Sequence, residues 1–412
     1  MQADGWRPPR NVIEAAEQKY SSLKGIAGLY AEKARRLIEQ RLEEARDKIR
    51  LLPYRGPDPG STPHAAEDGG SGLIDFETFS IYGVQAWAGA FQGSGPAYKL
   101  ASEVRAADAG IILPAGSEDL RVRFYRETLE AWAARRAILG LPSGSWLLWD
   151  GSVTTLLTGR RPWSESELRI QTLLSKAAEA LGVRDEDLID IVSGWHREKP
   201  LSVVENLYET GGDSIIIGEN SHIWVSFLEW LEKLESVALL FDTVFERNAR
   251  IVFITKTTRS KSLLGGPFPD VLYLRSAQPR EPFHTVPKLR RGVFPASPNS
   301  KMPTRFFPGK YSEAFQENVY VLSLYVRLDP GTPILHVEEV IPAGEVDPLD
   351  PEYAENRAGE IVGFLQGLTR RQGYPYSLLV AHREARLSPY DLERAALVLG
   401  VKGERPGRGM LE

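Results

Sequence analysis

From residue 72 to residue 150 the chain reads as extended stretches, one helix and a short apolar strand ending on a carboxylate, and this order narrows the possible folds more than any other feature. GLIDFETFSIYGVQAWAGAF (72–91) has the apolar and aromatic content of a strand and its continuation, with a Gly93-Ser94-Gly95-Pro96 turn after it. AYKLASEVRAADAGIILP supplies further extended structure. Glu118 to Leu139 then places Leu120, Phe124, Leu129, Trp132, Ala133 and Ile138 at helical spacing and stops at Gly140. In SWLLWDGSV (145–153) four apolar residues run into Asp150, the pattern of a strand buried on both faces. A first strand in mid-sheet, with a fourth beside it in parallel, would make Asp75 and Asp150 neighbours. The intervening helix would bring in a Glu from one side, and Glu127 and Glu130 lie three apart on one helical face, so spacing does not separate them.

The remaining chain supports an α/β reading. Residues 1–52 form an N-terminal helical arm, with Ile13, Tyr20, Leu23, Leu29, Leu37 and Leu42 at helical spacing from residue 11 onward. Residues 53–72, PYRGPDPGSTPHAAEDGGSG, read as a Pro/Gly/Ser-rich linker. Residues 73–412 are the expected catalytic domain, with helical and basic-loop insertions over about 164–312. Helices are expected over 164–182, where Ser164 and Glu167 make a capping box, and over 185–195, 221–248 and 351–370. Strands are expected over 250–258, 319–328 and 334–341, and Ser388-Pro389-Tyr390-Asp391 opens a last helix.

Composition removes several chemistries. The 412 residues include no Cys, which excludes disulfides, iron–sulfur clusters and thiol catalysis, so any metal must sit on Asp, Glu or His. Lys+Arg 50 against Asp+Glu 55 gives a formal charge of −5, so nucleic acid would be bound by local patches. GSGPAYK (93–99) has Tyr98 where a phosphate loop needs Gly, and no HExxH, GxSxG or EF-hand loop occurs. The opening MQADGWRPPR lacks a signal-peptide pattern, and a soluble cytoplasmic protein is expected.

Clustered buried carboxylates repel one another unless something neutralises them, and a divalent metal does so. Two such ions on bridging carboxylates are the usual scaffold for phosphodiester cleavage. Each residue also has an ordinary role: Asp150-Gly151 suits a turn, Glu77 shares the face of Asp75, and His382, ending the run SLLVA, suits a rim histidine. Tyr374 and Tyr376 flank Pro375 in a turn. From Pro282 to Ser312 the chain has no acid but has Lys288, Arg290, Arg291, Lys301, Arg305 and Lys310 among Phe294, Phe306, Phe307 and Tyr311. A second acid-free run, Asn248 to Pro269, holds Arg250, Lys256, Arg259 and Lys261. Cations interleaved with aromatics suit single-stranded nucleic acid.

LIDFETF (73–79), TLEAWAARRA (128–137), WLLWDGSV (146–153) and GYPYSLLVAHREARLS (373–388) together resemble the NurA nuclease family, over about residues 70–395. The family is similar in its sheet to RNase H-like nucleases, so the resemblance implies an RNase H-like mixed sheet flanked by helices. It implies Asp75, Glu130 and Asp150 as metal ligands, with Tyr374 and His382 completing the site, His382 either as a further metal ligand or to position the scissile phosphate, and with Leu129-Glu130 favouring Glu130. It further implies a Mn²⁺-dependent nuclease (Mg²⁺ being the other candidate ion) that cleaves single-stranded DNA and duplex ends in the 5′→3′ sense. A homodimer acting with a HerA-type hexameric translocase in DNA-end processing is implied as well. The family usually has Asp-Gly-Ser at the first strand, whereas LIDFETF gives Asp75-Phe76-Glu77. That departure motivates an alternative, a catalytically silent DNA-binding subunit of a translocase.

Overall fold

The computed structural model describes residues 12–51, 62–76, 79–93, 99–159, 170–218, 220–256, 258–278, 280–293, 307–347, 350, 352–370 and 373–400. Its central sheet is built from β1 (Ile49–Leu51), β2 (His64–Asp75), β3 (Ser80–Gln92), β4 (Lys99–Ile112), β5 (Trp146–Asp150), β6 (Arg250–Thr255), β7 (Phe283–Thr285), β8 (Lys288–Arg291), β9 (Val319–Arg327) and β10 (Leu335–Pro342). The order is β1-β7-β9-β10-β6-β5-β2-β3-β4, with β8 also pairing β9. β5 runs parallel to both β2 and β6, while the other pairings are antiparallel. The mixed sheet and the parallel neighbour of the carboxylate-ended strand are as expected.

Helices cover both faces. α1 (Val12–Glu39) and α2 (Leu42–Asp47) precede the sheet, and α3 (Glu118–Leu139), α4 (Val153–Thr158), α5 (Ile170–Leu181), α6 (Asp185–Glu198), α7 (Val203–Glu209), α8 (Asp213–Ile217) and α9 (Ser221–Glu246) lie between β4 and β6. α10 (Asp270–Ala277), the single turn α11 (Lys310–Ser312), α12 (Tyr353–Leu368), α13 (Tyr376–Glu384) and α14 (Pro389–Val398) complete the helices. Among the described residues no helix is long and apolar enough to cross a membrane.

The period-2 geometry of β5 explains the WLLW run. Leu147 and Trp149 join the core under α3 and α9, while Trp146 and Leu148 join the core under α12 and α13. Burying each such side chain contributes about 1.5–3 kcal/mol. α3 is fixed to α9 by a buried ion pair, Arg121 to Glu229 at 2.7 Å, into which the Tyr125 hydroxyl also donates. Lys233 of α9 binds Glu127 at 3.1 Å and donates to the Leu156 carbonyl at 2.6 Å. Glu127 is therefore a link between α3, α9 and α4.

Three expectations are corrected. Residues 64–72, expected inside a linker, are the first part of β2, and their glycines are sites of close packing: Cβ atoms on Gly69 and Gly70 would collide with α3 and with the chain after α13. Residues 72–91 are two strands, because β2 ends at Asp75 and the antiparallel β3 starts at Ser80, with the Phe76 N–H donating to the Phe79 carbonyl and the two rings stacked at 4.9 Å. The span 164–312 is no simple insertion, since β6, β7 and β8 belong to the central sheet. Two further features complete the comparison. The arm ends in β1, which pairs with β7 at the sheet edge. The Ser388–Asp391 capping box with Pro389 in the first turn forms as expected, whereas the Ser164–Glu167 box lies outside the described residues.

Candidate metal centre

Register places the site. Glu67 stands opposite Trp149 in the parallel β2–β5 pair, so Asp68 and Asp150 come next on both strands, and their parity directs them to the α12–α13 face. Tyr376–Glu384 forms α13, whose Ala381 packs on that face and whose next residue, His382, reaches Asp68: its Nδ1 lies 2.7 Å from Asp68 Oδ2. One ligand atom from each of Asp68, Asp150 and His382 falls within 4.8 Å of the others. Lys256, the residue after β6, donates to Asp150 Oδ2 at 2.9 Å, and its ammonium stands 4.0 Å from the centre of the Tyr374 ring.

The electrostatics suit a divalent cation. Burial, then the Asp150 charge, raises the pKa of Asp68, against which the His382 hydrogen bond pulls down. Burial raises Tyr374 far above an ordinary phenol, and the charges of Asp150, Asp68 and Glu67 add to the shift. Two carboxylates and an imidazole suit Mn²⁺, which accepts oxygen and nitrogen donors, better than a thiophilic metal.

Behind this cluster lies a second carboxylate pair. Glu67 and Gly69 point to the opposite face of β2, toward α3, where Glu130 covers Gly69 and pairs with Arg126 at 3.1 Å. A Cβ at Gly69 would come within 2.7 Å of Glu130 Cγ and 2.8 Å of Arg126 Cγ, so only Gly admits this approach. Burial raises Glu130 to about 7 despite Arg126. Glu67 is 1% exposed, and burial followed by Glu130, Asp68 and Asp150 drives its pKa well up.

The predicted site residues thus divide. Asp150 and His382 meet, Tyr374 packs beside them, and Glu130 sits on the far face of β2, outside the three-ligand group. Asp75 stands seven residues beyond Asp68, about 23 Å along the strand, at the hairpin tip where it accepts from Ser80 Oγ at 2.7 Å. The first-strand carboxylate is Asp68, and Asp68-Gly69-Gly70-Ser71 supplies the Asp-Gly pair that Asp75-Phe76 lacks. Glu77 lies outside the described residues.

The predicted DNA-binding residues also divide. Lys256 faces Asp150, and Arg259 and Arg291 line a cavity at the same end of the sheet, on its α3–α9 face. Lys261 donates to the Pro267 carbonyl at 2.6 Å. Arg290 is mostly buried against Glu338 at 3.4 Å, and Lys310 is tied to Glu235 at 2.9 Å and to Ser193, so both serve the protein's own packing. Lys301, Arg305 and Phe306 lie outside the described residues.

Comparison with known proteins agrees with this architecture. The NurA domain model matches residues 64–387. The DNA double-strand break repair nuclease NurA of Saccharolobus solfataricus is 24% identical over 296 residues, 71% of this chain and 68% of that protein. The crystal structure of the NurA nuclease from Sulfolobus solfataricus superposes with a TM-score of 0.62 at 20% identity, covering 93% of this chain and 96% of that one. A crystal structure of NurA bound to dAMP and manganese gives a TM-score of 0.62 at 15% identity, over 95% of this chain and 98% of that one.

Proposed function

The chain belongs to the NurA domain family, and on that premise we propose that it is a Mn²⁺-dependent deoxyribonuclease acting in double-strand break repair. The observation that carries the reading is the convergence of Asp68, Asp150 and His382 from two parallel strands and a C-terminal helix onto one point. Asp68, Asp150 and His382 would hold the ion, which when bound supplies a Lewis acid for the phosphodiester and acidifies an attacking water.

The chain's own residues do the rest. Lys256 steadies the Asp150 carboxylate and offers its ammonium to the phosphate, while the Tyr374 ring lies against that ammonium. His382 is oriented through Nδ1 by Asp68. Glu130 and Arg126 back the strand at Gly69 and fix the height of Asp68. Single-strand endonuclease and 5′→3′ exonuclease action, two-ion chemistry, a homodimer and a HerA-type hexameric partner in DNA-end resection belong to the same proposal. Their support is family membership.

The test is a panel of single-stranded DNA cleavage with Mn²⁺, Mg²⁺ and no metal, run on wild type and Asp150→Ala. Cleavage that needs the metal and vanishes in Asp150→Ala supports the reading. Equal cleavage by the variant refutes it.

A further inference from the structure

At the same end of the sheet as the metal centre, on the α3–α9 face, lies a cavity of about 960 Å³ lined mostly by hydroxyl-bearing and cationic residues. Of its fifteen lining residues eight are Ser or Thr, four are Lys or Arg, and Glu338 is the single acid. Glu338 is already neutralised: it accepts from Ser152 at 2.5 Å and Thr154 at 3.0 Å and pairs with Arg290. That leaves Arg259, Lys288 and Arg291 as net positive charge in a chain whose overall charge is −5. Lys288 and Arg291 donate to backbone carbonyls, those of Ser262 and Glu317, which do not cancel their charge. Arg259 is exposed and has no carboxylate partner among the described residues. The Thr255 hydroxyl, buried in the same wall, faces no hydrogen-bond partner.

We infer that this cavity is a phosphate subsite, which grips the sugar-phosphate backbone of the nucleic-acid strand away from the bond being cut. The cavity lies at the same end of the sheet as the metal centre but across it: Thr255 precedes Lys256, the cation on Asp150, and Ser152 lies two residues beyond Asp150, while strand parity turns Thr255, Ser323, His336 and Glu338 to the α3–α9 face, opposite Asp68 and Asp150. The lining also selects the ligand. Hydroxyls and cations are the groups that contact phosphate, whereas base stacking needs aromatic faces, which this lining lacks apart from a buried His336. The subsite therefore holds a strand without reading its sequence. Two sources of phosphate share this chemistry, an internal diester and a 5′-terminal monoester.

This inference rests on the nuclease reading, and the test separates the two. Fluorescence anisotropy of a short single-stranded oligodeoxynucleotide is followed in EDTA over a KCl series. Wild type is compared with Arg259→Gln/Lys288→Gln and with Arg184→Gln on the helical layer as control. The double variant is expected to lower the slope of log K against log[KCl] by about 1.4, roughly 0.7 per lost contact, with an unchanged melting temperature. A 5′-phosphate advantage seen in wild type and lost in the variant assigns the terminal group, and equal losses with 5′-phosphate and 5′-hydroxyl strands assign an internal diester. A slope in the double variant equal to wild type overturns the subsite alone. Wild type that binds no oligonucleotide in EDTA likewise overturns the subsite, whereas the nuclease reading falls only if the Mn²⁺ cleavage panel shows no metal-dependent cleavage.

Discussion

Gly70 couples the sheet to the helix that carries His382, and Gly70→Ala is the substitution that exposes this coupling. A Cβ on Gly70 would sit 2.9 Å from the Leu387 amide nitrogen and closer still to the Ala385 carbonyl oxygen. Both are backbone atoms at the exit of α13, so no side chain can swing aside. Ordinary contact needs roughly 3.5–4 Å, so the segment after α13 must retreat by on the order of 1 Å. Overpacking of this kind costs about 1–3 kcal/mol. The same retreat pulls His382 from Asp68, now 2.7 Å away, and from a donor set only 4.8 Å across. Loss of such positioning weakens metal binding by about 10–100-fold. Calorimetric Mn²⁺ titration and a thermal melt measure both effects, with Gly359→Ala, whose Cβ would meet open space, as the control. Wild-type Mn²⁺ affinity and melting temperature in Gly70→Ala would refute the packing argument.

Two stability predictions follow from the α3 face. Arg121→Met leaves Glu229 charged and buried without its partner, and a urea unfolding series should show a loss of about 3–5 kcal/mol; a loss below ~1 kcal/mol would show that the pair is not the anchor described. Glu130 is raised to about 7 by burial, so the folded chain keeps a proton that the unfolded chain releases from about 4.5 upward. Its contribution to stability is present below the unfolded value and is lost as pH rises through about 7. Glu130→Gln should therefore flatten the stability profile between these limits and be more stable than wild type at pH 8, and an unchanged slope would count against the burial of this carboxyl.

Much of the core was legible because it depends on local pattern. The WLLWD run implied a two-faced strand with a terminal carboxylate, and both cores close on it. His382 and Tyr374 also emerge from the sequence, one at the end of an apolar run and the other by resemblance. Asp68 was hidden by the glycines that make it work. Gly69-Gly70-Ser71-Gly72 has the composition of a linker, and only tertiary contacts, with Glu130, Arg126 and the Ala385–Leu387 backbone, show why β2 needs bare Cα atoms there. The available signal was the Asp68-Gly69 pair itself, since Asp75-Phe76 departed from the pattern it was asked to fit. Helical spacing also failed to separate Glu127 from Glu130, because the distinction comes from Lys233 of α9 on one side and Gly69 of β2 on the other. Basic runs misled for a related reason: the acids that claim Arg290 and Lys310, Glu338 and Glu235, come from distant segments.

The metal centre is tested most directly by the rate of Mn²⁺-dependent single-stranded DNA cleavage in Asp68→Asn measured beside Asp75→Asn. Removing a carboxylate that meets Asp150 and His382 should lower the rate at least ~100-fold, whereas Asp75→Asn, which alters only the hairpin-tip bond to Ser80, should cleave like wild type. Wild-type cleavage by Asp68→Asn together with an inactive Asp75→Asn would contradict the assignment.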